Sequence, residues 1–196
     1  MFKNKIPFLV AEISANHCGN INLAKKLIKC AKDNGADAAK LQTYTADTMT
    51  IQSNKKYFKI KNGLWKGYDL WNLYNEAHTP LEWNKKLFDY GKKLGITIFS
   101  TPFDETAVNL LEKLKCPIYK VASFEMTDLP LIKKITKTKT GFRFFLTRFS
   151  FLTFFFHLND NILLHFYETE ALVNGDPPCH LHFDCSVKII QKPNNN

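Results

Sequence analysis

Lys40, Ser100, Thr101 and Ser123 are one cation and three hydroxyls. That is a donor set suited to an anion carrying both phosphate and carboxylate oxygens. Glu12 and Glu125 add two carboxylates of the kind used as general acids or bases. What groups these six is position, since each stands where an apolar run gives out. Glu12-Ile-Ser-Ala-Asn-His17 ends the first run, Lys40-Leu-Gln-Thr43 the second, Ser100-Thr-Pro-Phe103 the third and Lys120-Val-Ala-Ser-Phe-Glu125 the fourth. A single lysine there is ordinarily a solvated edge residue. Four polar ends on one face of a parallel sheet form a constellation, because in parallel α/β architectures side chains from successive strands converge at their carboxyl ends.

The elements that would hold these ends follow from periodicity. Ile6 to Ile13 is a continuous apolar run of the kind buried on both faces, and Leu23, Ala24, Leu27, Ile28 and Ala31 then recur at helical spacing until Asn34-Gly35. Ala36 to Leu41 predicts the second strand. A long polar and aromatic connection runs from Tyr44 to His78, and connections of that length inside a compact domain are usually functional. Thr79-Pro80-Leu81-Glu82 predicts a helix start with Thr79 as the cap and Glu82 reaching back to it, and Gly95 suits the left-handed position past the helix end. Ile96 to Phe99 predicts the third strand, Asp104 the cap of the next helix, Pro117 to Ala122 the fourth strand, and Asp128 with Pro130 the start of a fourth helix. The fold class is α/β with parallel buried strands, either doubly wound or part of a (β/α)8 barrel.

Composition narrows the function classes. The chain has 196 residues, 45% hydrophobic and 23% charged, with a formal net charge of +9. Its lysines occur in ones and twos among helix-spaced apolar residues, as on solvated helix faces, and an excess of positive charge also suits an anionic substrate. No RNA-binding aromatic motif or zinc-finger spacing accompanies them, so nucleic acid is not an implied partner. Five cysteines at 18, 30, 116, 179 and 185 make no paired framework, and neither an export signal nor a membrane-spanning run is visible. A cytoplasmic location with no membrane partner is the expectation.

Four motifs in order, AEISANHCG from Ala11, AAKLQTYT from Ala38, FSTPFD from Phe99 and YKVASFEMTDLPLI from Tyr119, resemble the N-terminal half of the sialic acid synthase family. TYTADTMT from Thr43, YFKIKNGLWKG from Tyr57 and LYNEAHTP from Leu73 are more similar to its pseudaminic acid branch than to its N-acetylneuraminate branch. The likeness spans about residues 6 to 137 and implies the first four βα units of an incomplete TIM (β/α)8 barrel. It implies condensation of phosphoenolpyruvate with an amino-sugar aldehyde, a 2,4-diacetamido-trideoxyhexose in the pseudaminic branch, to give a nine-carbon sugar acid. Legionaminate or N-acetylneuraminate synthesis is the neighbouring alternative, and a non-catalytic remnant that at most binds phosphoenolpyruvate is another. By resemblance Lys40, Thr101 and Ser123 bind phosphoenolpyruvate, Glu12 lies at the reacting centre, and Asn16, His17, Gln42 and Glu125 line the site. Ser100 joins the binding set from its place beside Thr101. The family uses a divalent metal, usually Mn2+, and usually forms homodimers. Its metal-binding histidines belong to the half beyond the likeness, so no metal ligand is assignable here.

Composition shifts sharply past residue 138. Residues 141 to 196 hold 10 of the 17 phenylalanines and carry 4 Lys and Arg against 5 Asp and Glu. The family pattern calls for a fifth strand ending in Ser-Thr-Gly-Met, and this chain reads Gly141-Phe-Arg-Phe-Phe-Leu146 instead. Residues 139–196 are therefore expected to be unrelated to the preceding pattern, frameshifted or disordered, with 1–138 as the half-barrel unit. Four strands alone would leave open sheet edges.

Overall fold

An apolar run with no polar alternation has to be covered on both faces, which in a single chain requires helices between parallel strands. The computed structural model describes residues 7–63, 65–138, 144–146 and 188–191. Strand β1 (Pro7–Glu12) leads to helix α1 (Ile21–Asp33) and strand β2 (Ala38–Thr43). Helices α2 (Ala46–Met49), α3 (Leu70–Ala77) and α4 (Leu81–Leu94) precede β3 (Thr97–Pro102). Helix α5 (Glu105–Lys113), strand β4 (Tyr119–Val121) and helix α6 (Leu129–Thr136) follow.

The sheet order is β5-β4-β3-β2-β1-β6, where β5 is Phe144–Leu146 and β6 is Lys188–Gln191. Strands β1 to β5 are parallel neighbours in chain order, whereas β6 runs antiparallel along the outer edge of β1. Consecutive order without reversal is that of a (β/α)8 barrel laid out from its first strand; a doubly wound sheet reverses at a switch point. The sequence led to four strands, and the two additional ones come from the segment expected to be unrelated. Their backbones cover both edges that four strands would leave open. The rest of that segment, including the Phe149–Phe156 run and the Cys179–Cys185 stretch, lies outside the described residues.

Element boundaries differ from expectation where tertiary bonds compete. Strand β2 starts at Ala38, because the Ala36 N–H bonds back to the Ala31 carbonyl and the Asp37 carboxylate accepts the Leu9 N–H at 2.9 Å. Lys40 therefore sits inside the strand and not at its end. The Tyr44–His78 connection contains two helices. Asp69 caps α3 by accepting the Asn72 N–H at 2.9 Å, and Leu70, Leu73, Tyr74 and Ala77 follow at helical spacing. Tyr44 packs edge-on against Tyr74 and Phe103, and the Trp71 indole donates to Asp47 at 2.8 Å, which ties the insert to the sheet and to itself.

Helix α4 ends as expected at Gly95, whose φ of 68° only glycine adopts without strain. Its start is different: Pro80 takes the cap position without a side-chain cap bond, and the capping box expected of Thr79 and Glu82 is not made. Asp104 and Asp128 cap α5 and α6 as their sequences require, accepting from Thr106 and Ala107 and from Leu131. Midway along α4, Gly91 lets the helix settle onto β3. A methyl group there would run into the Ile98 side chain and lie 3.2 Å from the Ile96 carbonyl. Gly91→Ala is expected to destabilise by about 1–2 kcal/mol net, after the roughly 1 kcal/mol that alanine gains over glycine within a helix. A shift of the thermal midpoint checks it; an unchanged or raised midpoint would show that Ile98 moves freely.

Candidate active site

In a strand, residues two apart share a face, and in a parallel pair register partners point the same way. Glu12 is paired with Lys40, Lys40 with Phe99 and Gln42 with Thr101. Glu12, Lys40, Gln42 and Thr101 therefore occupy one face, together with Val10, Ala38 and Phe99 nearer the amino ends. The other face carries Ala39, Leu41 and Ile98, which pack with Ala24 and Ile28 of α1 and Leu87 of α4. The first face looks away from those helices, as the inner face of a barrel does.

On that face Lys40 is buried and its ammonium pairs with a Glu12 carboxylate oxygen. Gln42 accepts a hydrogen bond from the Ser14 hydroxyl at 3.2 Å. Asn16 lies in the turn after β1, where stacked backbone bonds from Ile13 to Asn20 and the left-handed Ser14 and Cys18 fold the chain tightly. Ser123 and Glu125 lie in the short 3-10 turn Ser123–Thr127 that follows β4. The carboxyl ends of four strands thus present seven of the residues named from sequence.

Buried side-chain oxygens without a hydrogen-bond partner include Glu12 Oε1, Asn16 Oδ1, Thr101 Oγ1 and Glu125 Oε2. Each buried orphan costs about 1–3 kcal/mol unless something binds it. That they fall on four residues of one constellation is what a binding site looks like when read from the protein side. Chemically the four divide in two. Thr101 carries a hydroxyl able to donate to an anion, whereas Glu12, Asn16 and Glu125 carry oxygens able to accept from O–H and N–H groups.

Burial raises the Glu125 carboxyl above the ordinary glutamate range, with Asp128 adding to the rise and Lys120 opposing it. A carboxyl that holds its proton more tightly when folded contributes stability that is fully present below its unfolded pKa and is lost as pH rises through the raised value. Glu125→Gln is therefore expected to be more stable than the parent at pH 7, with the difference vanishing as pH falls to the ordinary glutamate range. Urea melts at several pH values check this; a variant less stable at pH 7 contradicts it.

Two residues named from sequence are not on the face. Ser100, being next to Thr101, must point the other way; it is fully buried, and its hydroxyl bonds to Thr43 Oγ1 at 2.7 Å. His17 is fully buried too. Its Nδ1 accepts the Gly19 N–H at 3.2 Å, so the neutral ring carries its proton on Nε2 and donates to Thr79 Oγ1 at 3.0 Å. Burial, aided by His78, holds its pKa down to about 4, and Trp83 packs edge-on against the ring. Neither side chain is presented to a ligand. Conversely, Lys120 was passed over as a site residue, although it alternates with Tyr119, the register partner of Ser100, and so joins the Thr101 face. Its charge acts on Glu125. The register that sets its face, Ser100 opposite Tyr119, is a property of the sheet and is not carried by its own residues.

Among the described residues no three His, Cys, Asp or Glu side chains gather as a metal site. His17, the one histidine of the strand-end motifs, has both nitrogens committed. No helix among the described residues is long and apolar enough to cross a membrane.

Comparison with known proteins agrees with the fold. The chain is 50% identical over 133 residues to pseudaminic acid synthase of Helicobacter pylori, a match covering 68% of this chain and 39% of that protein. It is 45% identical over 136 residues to pseudaminic acid synthase of Campylobacter jejuni, covering 69% and 40%. Among solved structures it superposes on N-acetylneuraminic acid (sialic acid) synthetase of Leptospira borgpetersenii, crystallised with citrate, with a TM-score of 0.57 at 27% identity, covering 69% of this chain and 42% of that one. The chain thus spans about two fifths of the length of the relatives it matches. The NeuB family profile matches residues 27–142, a stretch that takes in β2, β3, β4 and every helix but the start of α1. With its strand ends, its strand order and more than half its length fitting one pattern, the chain belongs to the NeuB family of sialic acid synthases.

Proposed function

We propose that this chain carries the phosphoenolpyruvate side of a nonulosonic acid synthase. The reaction joins phosphoenolpyruvate to a 2,4-diacetamido-trideoxyhexose and yields pseudaminic acid. C3 of phosphoenolpyruvate attacks the sugar aldehyde carbon, water adds at C2, and the C2–O bond breaks to release phosphate. The observation that carries this reading is the set of orphaned oxygens beside one buried cation. Lys40 and Thr101, joined by Ser123, suit the anion, and Glu12, Asn16 and Glu125 suit an acceptor bearing hydroxyl and amide groups. We assign to Glu125 the proton given to the developing alkoxide and to Glu12 the proton of the attacking water, the two carboxylates being those of the strand-end set. Gln42, level with Thr101 in the register, lines the site between them. Both pseudaminic relatives and the motifs of the insert between β2 and α4 favour the acceptor of the pseudaminic branch over those of the N-acetylneuraminate and legionaminate branches.

When bound, the family's divalent metal would polarise the aldehyde oxygen. The described residues supply no ligand set for it, so no step on this chain is routed through it. Residues 1–138 form the working unit of this proposal, in the cytoplasm and as half of a homodimer.

Titration calorimetry of phosphoenolpyruvate into the 196-residue chain is the deciding experiment. Saturable binding with one site per chain supports the assignment; no binding by folded protein sinks it. Phosphate release that requires both sugar and manganese then separates turnover from binding alone.

A further inference from the structure

Two buried polar connections meet at the start of α4, and neither touches the proposed ligand site. One is the His17 Nε2–H donated to Thr79 Oγ1, two residues before the helix. The other begins at β3. Asn84 Oδ1 can only accept, so Thr43 Oγ1 donates to it at 3.1 Å, and the Ser100 hydroxyl must then donate to Thr43 at 2.7 Å. Asn84 in turn donates its amide to the Leu81 carbonyl at 3.1 Å, which closes the chain on the first turn of the helix. All five side chains are at most 1% exposed. In a purely apolar helix-to-sheet interface such groups would be a liability, so the presence of a partner for every one of them calls for a reason.

The reason lies in what stands next to each anchor. His17 follows Asn16 in the turn after β1, and on the strands Thr43 follows Gln42 and Ser100 precedes Thr101, each of these strand neighbours pointing to the opposite face of the sheet. We propose that the first turn of α4 is a clamp that sets the positions of the β1, β2 and β3 carboxyl ends from behind, with His17, Thr79, Thr43, Asn84 and Ser100 as positioning residues. Hydrogen bonds fix direction as well as distance, which apolar contact does not, so the clamp holds Asn16, Gln42 and Thr101 in one mutual arrangement before any ligand arrives. The inference takes from the proposed function only that these three meet the ligand.

The test uses the full chain with Thr79→Val, which keeps the side-chain shape and removes the hydroxyl, and Thr79→Ser, which keeps the hydroxyl. In Thr79→Val the backbone amides of residues 13–19 are expected to exchange with solvent about tenfold faster than in the parent, and phosphoenolpyruvate to bind about tenfold more weakly. Thr79→Ser is expected to restore both to within about twofold. Ile28→Val, a core change on α1, is the comparison for general loss of stability and should leave the affinity unchanged. Parent-like exchange in 13–19 for folded Thr79→Val overturns the clamp, as does a serine variant no better than valine. If Thr79→Val does not fold, Thr43→Val is read in the same way at residues 42–46 and 100–103. A parent chain that binds no phosphoenolpyruvate overturns the proposed function, and the clamp is then decided by exchange alone.

Discussion

Lys40→Met is expected to weaken phosphoenolpyruvate binding by about 100-fold or more, the loss typical of removing one partner from a desolvated charge pair. Methionine keeps most of the length of the side chain, so the backbone of β2 has no reason to move. What disappears is the charge. In the free protein that charge is already engaged by Glu12, its register partner on β1, and the lysine is only 8% exposed. Its removal therefore also leaves a half-buried carboxylate unpaired, and a stability loss of about 1–3 kcal/mol is expected, discounted for the exposure Glu12 retains. The two effects come apart in the double variant Lys40→Met/Glu12→Gln, which should regain most of the stability and none of the affinity. Calorimetric titration and urea denaturation measure the two separately. An unchanged affinity in Lys40→Met would leave the lysine as nothing more than the Glu12 partner.

The second large effect is expected at Phe99. It is the bulkiest fully buried side chain of the described residues, and in the register it lies beside Lys40 on the inner face, one step in from Thr101. Its cluster includes Ala38 of the neighbouring β2, Val10 of β1 beyond it and Ile118 near β4. The ring is thus the floor beneath the polar strand ends. Phe99→Ala removes that floor, and the expected cost is about 3–5 kcal/mol, a large share of the stability of an ordinary domain. Phe99→Leu, closer in volume, should cost about 1–1.5 kcal/mol. Denaturant midpoints for the two variants check the ordering. A cost under about 1 kcal/mol for alanine would mean that the inner face is not closely packed there.

Much of the frame was legible because its signals are local. Asp104, Asp128 and Gly95 mark helix ends by bonds made within one turn of themselves, and uninterrupted apolar runs have no place but between helix layers. The errors share a different cause. Ser100 and Thr101 were read as one motif, yet a strand sends adjacent side chains to opposite faces, so only one of the two could meet a ligand. Thr79 fits every local rule for a cap, and a residue 62 positions away in sequence takes its hydroxyl instead. The helix at Leu70 was hidden because Gly67 and a crowd of aromatic residues precede it, although Asp69 and the spacing after it were there to be counted. Nothing in Phe144-Phe-Leu146 alternates, so its pairing with β4 follows from the sheet and not from its own residues.

The pairing of Glu12 with Lys40 gives the resting pocket its own counter-ion. A visiting anion is not met by a bare positive charge; it has to draw the ammonium away from a carboxylate that is already in place. A weakly held monoanion such as chloride gains little from that exchange. An anion that offers several oxygens to Lys40 and Thr101 together, while its partner substrate offers hydrogens to Glu12, leaves every group better satisfied than before. On the proposed function, selectivity against the common small anions of the surrounding solution would follow from two residues that face each other across neighbouring strands.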